Sequence, residues 1–86
     1  MDFEIDKLKK RLLYRSQYRG TKEMDKLIGS FVKAHIRMLN IEELIELEKF
    51  LELDDDNLYK FYNNQKSEIT DKDNKILNLF KNFIYK

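Results

Sequence analysis

Lys22-Glu23-Met24-Asp25-Lys26-Leu27-Ile28-Gly29-Ser30-Phe31-Val32-Lys33-Ala34-His35-Ile36-Arg37-Met38-Leu39 decides the fold class. Met24, Leu27, Ile28, Phe31 and Met38 fall at the three- and four-residue steps that put side chains on one side of an α-helix. A strand would alternate apolar and polar residues instead. The spacing predicts a helix from Thr21 or Lys22 to Leu39, with this stripe buried.

Working upstream, Gly20 separates that helix from an earlier one, expected over about Asp6 to Tyr18. Leu8, Leu12 and Ser16 (or Leu13) would face inward, and Lys7, Lys10 and Arg11 would face water. Glycine closes a helix well because it enters the left-handed region without a Cβ penalty. Downstream, Asn40 followed three residues later by Glu43 has the form of a capping box. It opens a third helix to about Leu53, with Ile41, Leu44, Ile45, Leu47 and Leu51 inward. Asp54-Asp55-Asp56 then breaks the apolar rhythm. One of these acids caps a short fourth helix, and the others suit its positive N-terminal end. Leu58, Phe61 and Tyr62 give this helix a buried side. Asn63 to Lys66 reads as a polar loop. Thr70 with Asp73 is a second capping-box candidate, opening a last helix with Ile76, Leu77, Phe80, Phe83 and Ile84 inward. The expectation is all-α: a compact bundle of about five short helices, in a single domain over residues 1–86.

Composition agrees. The 86 residues include no proline and two glycines, so helices joined by tight turns are favoured over a strand-rich fold. A chain this short buries only about 60–65% of its unfolded surface, which leaves room for one core. Lys and Arg total 17 against 16 for Asp and Glu. So small a net charge gives no global attraction to nucleic acid or to an anionic membrane. No apolar run approaches the roughly 20 residues needed to span a bilayer. Met1-Asp2-Phe3-Glu4 carries acids where a signal or transit peptide carries bases. These features read as a soluble protein that works where it is made, in a bacterial cytoplasm.

The inventory of reactive groups is thin. There is no cysteine and a single histidine, His35, so a Cys–His pair and a multi-histidine metal site are both excluded. His35 follows Phe31 by four residues and reads as a boundary histidine with a satisfied ring nitrogen. The carboxylates sit on expected water-facing surfaces, and neither glycine lies in a phosphate-cradling pattern. Intrinsic catalysis and a stably bound cofactor or metal are therefore not expected. The basic part of the chain is the first helix, with Lys7, Lys9, Lys10, Arg11, Arg15 and Arg19, interleaved with Tyr14 and Tyr18. Tyr and Arg are the residues that protein interfaces favour. A solvated face is the plain alternative. A helix-turn-helix for nucleic acid is disfavoured, because the second helix spends its pattern on the core. In Arg19-Gly20-Thr21-Lys22-Glu23, physics alone favours a local Arg19–Glu23 ion pair across a glycine turn.

Arg11-Leu12-Leu13-Tyr14-Arg15-Ser16-Gln17-Tyr18-Arg19-Gly20-Thr21-Lys22-Glu23, continued by Leu27, Ile28, Phe31 and His35, resembles the succinate dehydrogenase assembly factors, or flavinators. Arg19, Gly20 and Glu23 match that family's R-G-x-x-E signature at the junction of its first two helices. Leu53-Asp54-Asp55-Asp56-Asn57-Leu58-Tyr59 is similar to its acidic turn before the fourth helix. The likeness spans about Leu8 to Tyr62. Bacterial members often carry proline where Asp56 stands and tryptophan near Phe61. The resemblance implies a monomeric, non-enzymatic factor that binds the flavoprotein subunit of succinate dehydrogenase. It would promote covalent attachment of FAD, with the flavin held by the partner, and some members also serve fumarate reductase. It implies further that Arg19, Gly20 and Glu23 form the contact surface, with Arg15, Arg11 and Tyr14 beside them. A different protein-interaction module, such as a regulator or an antitoxin-like partner, is the alternative reading.

Overall fold

The computed structural model describes residues 3–66, 69 and 74–84. Its described elements are five α-helices and one 3-10 turn, with no strand among them. None of these helices is long and apolar enough to cross a membrane.

The first helix, α1, runs Phe3–Gln17, with Glu4 and Asp6 in its first turn and Arg15 in its last, matching the helix dipole at both ends. Leu12 and Ser16 are wholly buried, and the Ser16 hydroxyl donates to the Leu13 carbonyl (2.6 Å). Thr21 caps α2, Lys22–His35, by accepting from the Met24 amide (3.2 Å). Met24, Leu27, Ile28, Phe31 and Val32 are buried along it as their spacing requires. Gly29 lies against α1, where a Cβ would stand 3.1 Å from Gln17 Cγ.

Met38 corrects the expected stripe, because α2 ends at His35 and Ile36–Met38 forms the 3-10 turn. Three residues per turn instead of 3.6 rotates the inward direction onto Ile36 and Leu39, leaving Met38 81% exposed. Asn40 then opens α3, Ile41–Leu51, with the full capping box: Asn40 Oδ1 accepts from the Glu43 amide (2.9 Å) and Glu43 Oε1 from the Asn40 amide (2.8 Å). Its buried residues include Leu44, Leu47, Phe50 and Leu51, whereas the expected Ile41 and Ile45 are exposed. Turning the aromatic Phe50 inward moves those two isoleucines to the flank.

Asp54 caps α4, Asp55–Tyr62, accepting from the Asn57 amide (2.7 Å), and Leu58 and Phe61 are buried beneath it. The last helix, α5, is Lys75–Lys81, capped by Asn74 through the Ile76 and Leu77 amides (2.8 and 3.2 Å). The Thr70–Asp73 cap falls outside the described residues. Ile76, Leu77 and Phe80 face inward as expected and Phe83 packs on the core. Ile84 is exposed instead, because α5 stops at Lys81 and the helical spacing no longer applies.

Phe31, Phe50 and Phe80 join α2, α3 and α5 at the centre, with ring centroids 5.0 to 5.6 Å apart. Burying one such ring contributes about 1.5–3 kcal/mol, and tilted or edge-on pairing adds about 0.5–1.5 kcal/mol. Lys75 at the start of α5 pairs with Glu43 in the first turn of α3. Hydrogen bonds from the Lys75 ammonium and the Asn40 amide hold the Glu43 carboxyl below its ordinary range, against the opposing effect of burial.

Candidate functional site

Tyr18 to Thr21 make the corner between α1 and α2. Gly20 has φ +126°, a region that side-chain-bearing residues rarely adopt, so this corner requires glycine. Asp25, in the first turn of α2, closes the corner from below. Its Oδ1 accepts from the backbone N–H of Arg19 (2.5 Å) and of Gly20 (3.2 Å). The turn is thus fixed by Thr21, Asp25 and the glycine backbone together.

The Arg19 side chain does not reach Glu23. Its Nε donates to Asp55 Oδ1 (2.6 Å), Nη1 to the Leu51 carbonyl (2.9 Å) and Nη2 to the Leu53 carbonyl (2.6 Å). The expected Arg19–Glu23 pair is therefore overturned. The carbonyls that end a helix lack intrahelical partners, and a planar guanidinium satisfies two of them while pairing with a carboxylate. The arginine side chain is only 9% exposed, and that of Asp55 is 27% exposed. Arg19 thereby ties the α1–α2 corner to the end of α3 and the start of α4. The two segments that carry the family resemblance, Arg19–Glu23 and the acidic turn, are bonded to one another.

The remaining candidates separate around this knot. Tyr14 and Tyr18 stack with ring centroids 4.5 Å apart and stand 63% and 67% exposed. With Arg15, Arg19 and Leu51 they line a shallow depression between α1 and α3. Arg11 lies in another depression, with Ile5, Leu8 and Ile41 toward the other end of α1. Glu23 is exposed and lines a different groove, with Lys26, Leu27, Tyr59, Tyr62 and Asn63. The structure groups Tyr14, Arg15 and Arg19 in one depression, and Glu23 and Arg11 line two others. Nothing in the sequence singles out Asp25 or Asp55. In Asp54-Asp55-Asp56 the sequence leaves open which acid caps α4 and which suit its N-terminal end, and nothing in the run marks the one that turns inward.

His35 is half-buried, and its Nδ1 donates to the Phe31 carbonyl (2.8 Å) while the ring packs on Phe31 and Phe83. That is the satisfied boundary histidine expected. The glycines do not fit a phosphate cradle for a flavin nucleotide, since Gly29 is packed inside α2 against Gln17 and Gly20 sits in an open corner.

A family model described as the flavinator of succinate dehydrogenase matches residues 10–84. The FAD assembly factor SdhE of Acetobacter pasteurianus is 44% identical over 50 residues, covering 58% of this chain and 46% of that protein. The mitochondrial succinate dehydrogenase assembly factor 2 of Candida glabrata is 42% identical over 64 residues, covering 73% of this chain and 42% of that protein. Its Dictyostelium discoideum counterpart is 38% identical over 58 residues, covering 67% of this chain and 41% of that protein. The chain thus spans less than half the length of these curated relatives. No solved structure matches it. With a match from residue 10 to residue 84, and the signature corner and acidic turn joined in one knot, the chain belongs to the family of succinate dehydrogenase flavinators.

Proposed function

We propose that this protein is a non-catalytic assembly factor that binds the flavoprotein subunit of succinate dehydrogenase and promotes covalent attachment of FAD to it. The family match over residues 10–84 carries this reading. Relatives named as an FAD assembly factor and as succinate dehydrogenase assembly factors support it. The flavin and the side chain that accepts it both belong to the partner. This chain contributes by binding the arrangement in which the two meet, since orienting reacting groups lowers the barrier without any group of its own entering the reaction. Gly20 and Glu23, exposed at the α1–α2 corner, supply the contact edge, and Tyr14 and Arg15 line the neighbouring depression. Gly20 suits close approach, because nothing stands within 4 Å of the position its Cβ would take. A bacterial cytoplasm is the compartment that goes with this reading.

Deleting the gene and reading in-gel flavin fluorescence on the denatured flavoprotein tests it. The expected result is that fluorescence falls on deletion and returns with the wild-type chain, but not with Gly20→Arg. Covalent flavin unchanged by the deletion would sink the proposal.

A further inference from the structure

Within the family reading, an arginine in the signature corner invites the view that its guanidinium grips the partner. The geometry points elsewhere. All three donor nitrogens of the Arg19 side chain that make hydrogen bonds are directed inward, onto Asp55 Oδ1 and the carbonyls of Leu51 and Leu53. The side chain is nine-tenths covered, so reaching a partner would break three hydrogen bonds and strand a carboxylate. The main chain of the same residue is held by Asp25, which also holds Gly20. Gly20 and Glu23, by contrast, are exposed.

We propose that Asp55 is a positioning residue for partner docking: it anchors Arg19 from within, and Arg19 in turn holds the Gly20–Glu23 edge at a fixed place relative to α3 and α4. The proposal rests on the partner assignment above and deepens it. Under this division Arg19 acts through the corner, Asp25 sets the corner's local shape, and Gly20 with Glu23 meets the partner. Asp55 lies 36 residues from Arg19 and outside the R-G-x-x-E signature, yet its removal has the same consequence for docking as removal of the arginine.

A double-mutant cycle on binding to the purified flavoprotein subunit of succinate dehydrogenase tests this. The variants are Arg19→Ala, Asp55→Ala and the pair, together with Asp55→Asn, which keeps an acceptor oxygen toward Arg19. Circular dichroism melts set a working temperature at which every variant is folded. Leu77→Ala, in the core under α5, serves as a control that lowers stability without touching the corner. The expected result is that each alanine variant weakens binding by about 10-fold or more, with the double variant no weaker than the worse single. Asp55→Asn should recover part of the loss, and Leu77→Ala should bind like the wild type. Normal binding by Asp55→Ala beside lost binding by Arg19→Ala would overturn the proposal, because Arg19 would then touch the partner itself. Weakened binding by Leu77→Ala would also overturn it, reducing the effect to general stability. If the wild type fails to bind, the partner assignment falls and takes this proposal with it.

Discussion

At the scale of single residues, the corner divides into parts that hold and parts that show. Arg19 holds: truncating it leaves the Asp55 carboxylate and two carbonyls without their donors. Arg19→Ala should cost about 2–4 kcal/mol in urea unfolding, the usual range when one partner of a partly buried charged network is lost. Glu23→Ala, at an exposed position, should stay within about 0.5 kcal/mol of the wild type in the same experiment. Equal losses for the two would restore the Arg19–Glu23 pair. Gly20 is constrained by conformation instead of contact. Its φ of +126° makes Gly20→Ala unfavourable by about 1–2 kcal/mol even though open space surrounds the new methyl. For a domain of this size that is a fall in melting temperature of roughly 4–8 °C per kcal/mol, readable by circular dichroism.

At the scale of elements, what could be read in advance was whatever neighbours in the chain decide. Asn40 and Glu43 are three residues apart, so their capping box is a local fact and the sequence is enough to find it. The same holds for the Met24 to Phe31 stripe and for a cap within Asp54-Asp55-Asp56, which the structure assigns to Asp54. Reading failed where the helical period changed or where a distant partner set the rotation. Met38 continues the α2 pattern on paper, but the chain has already passed into a 3-10 turn, and Ile36 and Leu39 take the inward places. Ile36→Ala should therefore cost about 2–4 kcal/mol, and Met38→Ala within about 0.5 kcal/mol, in paired thermal melts. The reverse order would mean that α2 runs on to Leu39. Phe50 escapes the sequence pattern because the leucines of α3 already form a plausible stripe, and only Phe31 and Phe80, from other helices, show which side is inside. Asp55 was hidden for the same reason: nothing near it in the chain points to Arg19.

At the scale of the whole molecule, ion pairs join helices that are far apart in sequence. Lys75 reaches Glu43, so the start of α5 is tied to the capping box of α3. A carboxylate whose folded pKa is depressed contributes stability above its unfolded value, near about 4.3, and loses that contribution as pH falls through the lower folded value. The midpoint of urea unfolding should hold steady from neutral pH down to about 5 on this account and decline below about 4.3. Glu43→Gln should lower stability at pH 7 and flatten the acid decline, since it removes the titrating group and weakens the capping box. A variant with an unchanged acid profile would remove Glu43 from that role.

The Arg19–Asp55 tie has a further consequence in time. Closing a loop of this length costs entropy that must be met before the contact returns anything, so such a tie forms late, after the local helices. During synthesis the corner leaves the ribosome well before the acidic turn that anchors it. A nascent or truncated chain that ends before α4 has the R-G-x-x-E residues but no anchor for them. Only a chain that includes α3 and α4 can tie the α1–α2 corner down, so the order of emergence sets the order in which this part of the molecule becomes rigid.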